Sequence, residues 1–112
     1  MYVTIAATKY ADCPEYRGAE LKVPAVRALV QDAMERARVP VDGEYRMITF
    51  RGWPDFLGER LARTEADVQQ VNFLAGRVGQ MNQKEISRYE GVLACMETER
   101  RGYECSIKDL IN

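Results

Sequence analysis

The sequence of 112 residues contains no histidine. Histidine is the commonest general base near neutral pH and the commonest neutral metal ligand, so its absence excludes most hydrolytic triads and most zinc sites. No other pattern in the chain is typical of a reaction centre. We therefore expect a protein that is not an enzyme and that has no catalytic residue, no metal site and no cofactor.

Long apolar runs are absent as well. No stretch reaches the roughly 18 apolar residues of a membrane-spanning helix, and residues 1–8 have no basic leader of the kind that opens a secretory signal. The three cysteines, Cys13, Cys95 and Cys105, form no C-x-x-C pair, and their odd number predicts reduced structural thiols. These features predict a cytoplasmic protein without a membrane segment.

An excess of charge of one sign is also missing. The 17 acidic and 16 basic side chains leave a net charge of −1. Such a balance predicts no strong electrostatic attraction to nucleic acid or to an anionic membrane. We expect neither of them to be a direct partner.

The first half of the chain, residues 1–52, has the pattern of strands around one helix. Residues 1–8, 19–23 and 45–50 are rich in β-branched and aromatic residues or alternate between apolar and polar, which predicts three strands. Pro24 stands where a helix over residues 25–38 begins. The apolar stripe of that helix consists of Val26, Leu29, Val30, Ala33, Met34 and Ala37. The order ββαβ predicts a small antiparallel sheet with one helix.

The second half, residues 53–112, has helical spacing and predicts a compact cluster of three to four short helices. Three pairs resemble capping boxes: Thr64 with Asp67, Asn82 with Glu85, and Ser106 with Asp109. The apolar stripes behind them are Val68, Val71, Leu74, Ala75 and Val78, then Ile86, Tyr89, Leu93 and Met96, then Ile107, Leu110 and Ile111. The fold class is thus α+β, with an all-helical module after the sheet module.

Two groups of side chains admit both a binding and a structural interpretation. Asp55 and Glu59 stand four residues apart on a predicted helix, so their carboxylates could share a cation. No third ligand follows in sequence. We therefore favour a solvent-exposed helix face on which Glu59 pairs with Arg63. The segment Gly76–Gly79 resembles part of a phosphate loop, but it lies within a predicted helix, and we discount it.

Aromatic residues raise a similar choice. Trp53, next to Pro54, is either an exposed binding anchor or, as we favour, a core residue, because a tryptophan buries a large area. Tyr10, Tyr16 and Arg17 could stack and hold an anion, and an ordinary loop is an equally good interpretation.

Acidic side chains are the remaining candidates. Carboxylates spaced i, i+3 and i+4 on a helix lie about 5–6 Å apart at Cβ, so a dense acidic face imitates a row of phosphates. Residues 53–112 hold ten acidic and eight basic side chains, a net charge of −2, against +1 for residues 1–52. The mixed signs alone favour an ordinary solvated surface. The candidates are Glu59, Glu65, Asp67, Glu85, Glu90, Glu97, Glu99, Glu104 and Asp109, and the interleaved cations are Arg63, Lys84, Arg88, Arg100, Arg101 and Lys108.

Several short segments resemble the ArdA family of antirestriction proteins of mobile elements and phages. They are Met1-Tyr2-Val3-Thr4, Gly18-Ala19-Glu20-Leu21-Lys22-Val23-Pro24, Val71-Asn72-Phe73-Leu74-Ala75 with Val78, Ile86 to Leu93, and Ser106-Ile107-Lys108-Asp109-Leu110-Ile111-Asn112. The resemblance implies an elongated, modular α+β protein that does no catalysis. It implies occupation of the DNA groove of type I restriction–modification enzymes by carboxylates that replace phosphates. Full-length family members are more acidic and carry a further C-terminal module used for dimerisation, which we do not expect in this sequence; a homodimer is one of the states that we consider.

Our leading hypothesis is therefore an antirestriction protein that binds a type I restriction–modification complex through acidic helix faces. Glu85, Glu90 and Glu97 are the first choices, because the stripe of their helix must turn inward and leave part of the helix to solvent. The alternative is a non-catalytic interaction module of a mobile element that docks a partner through an apolar patch of Trp53, Phe56 and Tyr103.

Overall fold

The computed structural model describes residues 1–10, 12–41, 43–99 and 106–111. The chain divides into two compact units, Met1–Trp53 and Pro54–Asn112, and its class is α+β as predicted. Trp53, which the sequence placed in the second unit, belongs to the first. Residues of the sequence analysis that lie outside the described ranges are Arg100, Arg101, Tyr103, Glu104, Cys105 and Asn112.

The first unit is the predicted antiparallel sheet with one helix. Its elements are strand β1 (Tyr2–Ala7), a 3-10 turn (Thr8–Tyr10), strand β2 (Ala19–Lys22), helix α1 (Arg27–Arg36) and strand β3 (Tyr45–Arg51). The strand order is β2-β1-β3, and both pairings are antiparallel. β1 is therefore the central strand, and the buried side chains of Val3, Ile5 and Leu21 form one face of the sheet.

The pairing of β1 with β3 contains a bulge. Thr4 lies opposite Thr49 and Ile5 lies opposite Met47, so Ile48 is an extra residue without a register partner. A bulge of this kind bends the strand and redirects the side chain of the extra residue. Accordingly, Ile48 is 52% exposed, although its neighbours Met47 and Phe50 are half-buried.

Tyr16 fastens the loop before β2 to the rest of the first unit. Its hydroxyl accepts a hydrogen bond from the Ala7 backbone N–H at 2.8 Å and donates one to the Ala37 carbonyl oxygen. Gly18 follows with a φ of +71°, and a Cβ at this position would collide with the carbonyl oxygen of Ile5. Glycine is the residue that meets both requirements, since it has no side chain and tolerates positive φ.

Helix α1 differs from its prediction at both ends. It begins at Arg27, after the extended residue Val26, and the predicted stripe is only half buried: Val26 is 67% and Leu29 54% exposed, whereas Ala33 and Ala37 are fully buried. The helix packs against β2. The buried residues of the stripe are therefore those in the C-terminal half of the helix and just after it.

The end of α1 is a Schellman-type turn. The Val39 N–H bonds to the Met34 carbonyl oxygen at 3.0 Å, and Arg38 adopts a φ of 59°. Glycine is the usual residue at such a position, because a side chain there is strained. Arg38 therefore stores local strain.

The second unit consists of helices in the described ranges: α2 (Asp55–Leu61), α3 (Val68–Gly79), α4 (Gln83–Glu99) and α5 (Ile107–Ile111). The predicted stripe of α3 is entirely buried. Leu93 is the buried residue of α4, and the rest of its stripe is half-buried. The core of this unit comprises Leu57, Leu61, Val68, Val71, Leu74, Ala75, Val78, Leu93, Ile107 and Leu110. No described helix has the length and apolar character needed to cross a membrane.

Two of the three predicted helix caps are present. Glu85 N–H donates to Asn82 Oδ1 at 2.8 Å and Asn82 N–H donates to Glu85 Oε1 at 3.2 Å, and Ser106 and Asp109 bond reciprocally in the same way.

The prediction that Thr64 opens α3 is wrong. Asp67 is the N-cap, in a full capping box with Gln70, and the Thr64 hydroxyl instead donates to the Leu61 carbonyl oxygen at 3.2 Å. The better hydrogen-bonding side chain, three residues nearer the apolar stripe, starts the helix.

Candidate functional site

Helix α2 separates apolar and acidic side chains onto opposite faces. Leu57 and Leu61 are 0% and 2% exposed. Asp55 and Glu59 lie two residues from Leu57 on either side, which places them roughly opposite it around a helix of 3.6 residues per turn. Both carboxylates are exposed. Because the leucines fix the rotation of α2, its carboxylates must face solvent.

The loop after α2 carries two further exposed carboxylates. Glu65 and Asp67 are both exposed, and Asp67 uses Oδ1 to cap α3 by accepting from the Gln70 N–H at 2.8 Å. We call residues 55–67 the acidic segment. It presents four exposed carboxylates and one exposed cation, Arg63.

The other arginine of the acidic segment, Arg60, points into the unit. Its Nε and Nη2 donate to the two carboxylate oxygens of Glu97 at 2.8 Å each, and its Nη1 donates to the Phe56 carbonyl oxygen at 2.8 Å. The side chains of Arg60 and Glu97 are only 11% and 29% exposed. Arg60 therefore does not offset the exposed carboxylates of α2.

Glu97 thus has a structural role that the sequence did not indicate. Both of its oxygens bind Arg60, which ties α4 to α2. The ring of Phe56 meets the ring of Tyr89 edge-on at 5.8 Å along the same pair of helices, and the Tyr89 hydroxyl donates to the Leu110 carbonyl oxygen. These two contacts are specified by residues far apart in sequence, so helical periodicity alone could not reveal them.

The remaining acidic candidates of α4 are exposed. Glu85 caps the helix through Oε1, Glu90 lies on the surface, and Glu99 Oε1 lies 3.8 Å from the sulfur of Cys95, which donates to it. Lys84 and Arg88 are exposed between them, so α4 presents mixed charge. Among the described residues, the carboxylates of the sequence-predicted site therefore lie on the acidic segment, on α4 and, for Asp109, on α5.

Two further roles were considered for Asp55 and Glu59, a shared cation and an ion pair between Glu59 and Arg63. Ion pairs within 4.0 Å in the described part of the chain are Arg36–Asp32, Arg51–Glu20 and Arg60–Glu97, and the expected pairing of Glu59 with Arg63 is not among them. No cluster of three or more potential metal-ligating side chains occurs among the residues that the structure describes.

The aromatic candidates are structural. Trp53 is 6% exposed, its Nε1 donates to the Tyr2 carbonyl oxygen at 3.1 Å, and its ring meets Phe50 edge-on, so it is a core residue and not an exposed anchor. The Tyr16 hydroxyl is committed to two backbone groups, and Arg17 donates to the Pro14 carbonyl oxygen at 3.0 Å.

The segment Gly76–Gly79 belongs to α3, where backbone N–H groups bond within the helix.

An ion pair that sequence analysis missed crosses the sheet of the first unit. Arg51 on β3 reaches over β1, with its guanidinium 4.0 Å from the centre of the Tyr2 ring, and donates to Glu20 on β2 at 2.6 Å. The hydrogen bond from Arg51 lowers the pKa of Glu20, and the same bond raises the pKa of Arg51. Only the register of all three strands brings these residues together.

Comparison with known proteins adds no relative: no protein-family model, no curated protein and no solved structure matches the chain.

Proposed function

We propose that this chain is a non-catalytic antirestriction protein, which inhibits a type I restriction–modification enzyme by presenting carboxylates where DNA presents phosphates. The enzyme complex is its protein partner, and the DNA groove of that complex is the surface that it occupies. The sequence resemblance motivates the proposal, and the exposed carboxylates of the acidic segment are the structural observation that supports it.

The acidic segment fits this role better than α4. Asp55 and Glu59 share one solvent-facing side of α2 at a spacing of about 5–6 Å, and Glu65 and Asp67 are exposed in the loop that follows. The cation at the centre of the segment, Arg60, is turned inward and neutralised. A DNA-binding groove lined with basic side chains would therefore meet mainly negative charge here.

On α4, by contrast, Glu85 and Glu90 alternate with Lys84 and Arg88, and Glu97 is bound to Arg60. We therefore move the centre of the proposed surface from α4 to α2 and its following loop. Glu85, Glu90 and Glu99 remain at its margin.

The rival hypothesis of an apolar docking patch loses its central residue, because Trp53 is 6% exposed. Phe56 is half-buried against Tyr89, and Tyr103 lies outside the described residues.

The decisive experiment measures ATP-dependent cleavage of unmodified DNA by purified type I enzymes with increasing amounts of this protein, together with phage plating on restricting cells. The test variant is Asp55→Asn/Glu59→Gln/Glu65→Gln. The matched control, Glu15→Gln/Glu35→Gln/Glu44→Gln, removes the same charge from exposed positions of the first unit. We expect the test variant to inhibit about tenfold more weakly, since three exposed charge contacts of a few tenths to one kcal/mol each sum to about 1–3 kcal/mol, and about 1.4 kcal/mol corresponds to tenfold.

The control should inhibit like the natural sequence. Unchanged restriction by several type I enzymes in the presence of the natural sequence would refute the proposed function. Equal losses in the two variants would refute the assignment to the acidic segment, because net charge alone would then explain the effect.

A further inference from the structure

The two arginines of the acidic segment have different surroundings. Residues 55–67 carry four carboxylates and two guanidinium groups, so the segment by itself has a net charge of −2. Arg63 is exposed, whereas the side chain of Arg60 is only 11% exposed. The charge that a partner meets on this segment therefore depends on what compensates Arg60.

Glu97 on α4 supplies that compensation. Both of its carboxylate oxygens accept from Arg60 at 2.8 Å, and the Phe56 carbonyl oxygen accepts from Arg60 Nη1 at 2.8 Å. Two parallel bonds between a guanidinium and a carboxylate fix the orientation of both groups. Together with Glu97, the acidic segment has a net charge of −3 in place of −2.

Arg60 is close enough to the exposed carboxylates of α2 for its charge to matter. The helix has seven residues, and at a rise of about 1.5 Å per residue its whole length is about 10 Å. Charges are screened over about 8 Å at physiological salt, and partly buried charges are screened less. Loss of Glu97 would therefore make the potential at Asp55 and Glu59 less negative.

We propose that Glu97 is a positioning residue of the antirestriction surface. It acts through Arg60: it holds the guanidinium inside the helical unit and cancels its charge, without touching the partner. This inference rests on the proposed function. It assigns to a carboxylate that binds inward an effect on inhibition comparable with that of one exposed carboxylate of the acidic segment.

The direction of two single substitutions separates this role from a structural one. Glu97→Gln and Arg60→Gln break the same ion pair, and removing either partner of such a pair is destabilising. A merely structural role therefore predicts weaker inhibition by both variants. The counter-ion role predicts opposite effects, because the net charge of the segment with its counter-ion becomes −2 in Glu97→Gln and −4 in Arg60→Gln.

The first experiment is the DNA-cleavage assay, at a temperature where circular dichroism shows every variant folded. We expect Glu97→Gln to inhibit about threefold more weakly and Arg60→Gln about threefold more strongly, as for one exposed charge contact each. The double variant Arg60→Gln/Glu97→Gln keeps the charge of −3 and should inhibit like the natural sequence. Glu35→Gln, the matched control on an exposed part of α1, should do so too. Weaker inhibition by both single variants, or a Glu97→Gln variant that inhibits like the control, overturns the proposal.

The second experiment needs no restriction enzyme. Paramagnetic relaxation of the amide protons of residues 55–67 by a cationic and by an anionic nitroxide reports the local potential as a ratio. We expect the ratio of cationic to anionic enhancement to fall in Glu97→Gln, to rise in Arg60→Gln and to stay unchanged in Glu35→Gln. Unchanged ratios in both pair variants overturn the counter-ion role, even where the natural sequence inhibits. The expected ratios together with no inhibition by the natural sequence support the counter-ion role and refute the proposed function alone.

Discussion

Replacing Tyr16 by phenylalanine removes one oxygen atom and should destabilise the first unit strongly. The hydroxyl accepts from the Ala7 N–H at 2.8 Å and donates to the Ala37 carbonyl oxygen. Ala7 and Ala37 are both fully buried, so water cannot readily replace the lost partner. The end of β1 and the end of α1 would each keep an unsatisfied backbone group.

The magnitude follows from these two groups. Leaving a buried donor or acceptor unsatisfied costs about 1–3 kcal/mol. We therefore expect Tyr16→Phe to lower the free energy of unfolding by about 2–3 kcal/mol. For a unit of this size that corresponds to a fall in melting temperature on the order of 10–20 °C.

Urea unfolding followed by tryptophan fluorescence is the appropriate assay. The chain has one tryptophan, Trp53, which is buried in the first unit and therefore reports on it. The matched control is Tyr10→Phe, which deletes a hydroxyl that bonds to no described residue and keeps the ring contact with Tyr16. A Tyr16→Phe variant within about 0.5 kcal/mol of the natural sequence would show that the hydroxyl does not hold these segments together.

Three further predictions concern charge and backbone strain. Glu97→Ala should lower the free energy of unfolding of the second unit by about 2 kcal/mol in a circular dichroism melt, because it leaves Arg60 without its carboxylate partner. The apolar double variant Arg60→Met/Glu97→Leu should recover most of that loss. An unchanged melt for Glu97→Ala would contradict a structural role of Glu97. Arg38→Gly should raise the stability of the first unit by about 1 kcal/mol in urea, since glycine relieves the positive φ, and a loss of stability would show that the Arg38 side chain is needed. Because the pKa of Glu20 is lowered from 4.5, its contribution is complete above that value and is lost as the pH falls through the lower, folded-state pKa. Glu20→Gln should therefore flatten the acid limb of stability, measured as urea midpoints between about pH 3 and pH 6, and an unchanged acid limb would contradict the role of the Arg51–Glu20 pair.

The sequence by itself determined which elements form and in which order. Helical spacing identified the buried stripe of α3, and alternation identified the strands of the first unit, because each pattern is written within one segment and reflects the geometry of that segment. The caps at Asn82 and Ser106 were found for the same reason, since cap and partner are three residues apart. At the start of α3 the predicted N-cap, Thr64, was wrong, because Asp67 caps the helix instead.

Only the tertiary structure decided which of these side chains remain free. Glu97 and Glu90 look alike along the sequence, but one is held by Arg60 from another helix and the other is exposed. Leu29 and Ala33 belong to one stripe, but Ala33 is fully buried and Leu29 is 54% exposed. Whether a carboxylate is available to a partner, or an apolar residue is buried, depends on contacts between segments far apart in the chain, and those contacts leave no periodic signal in the sequence.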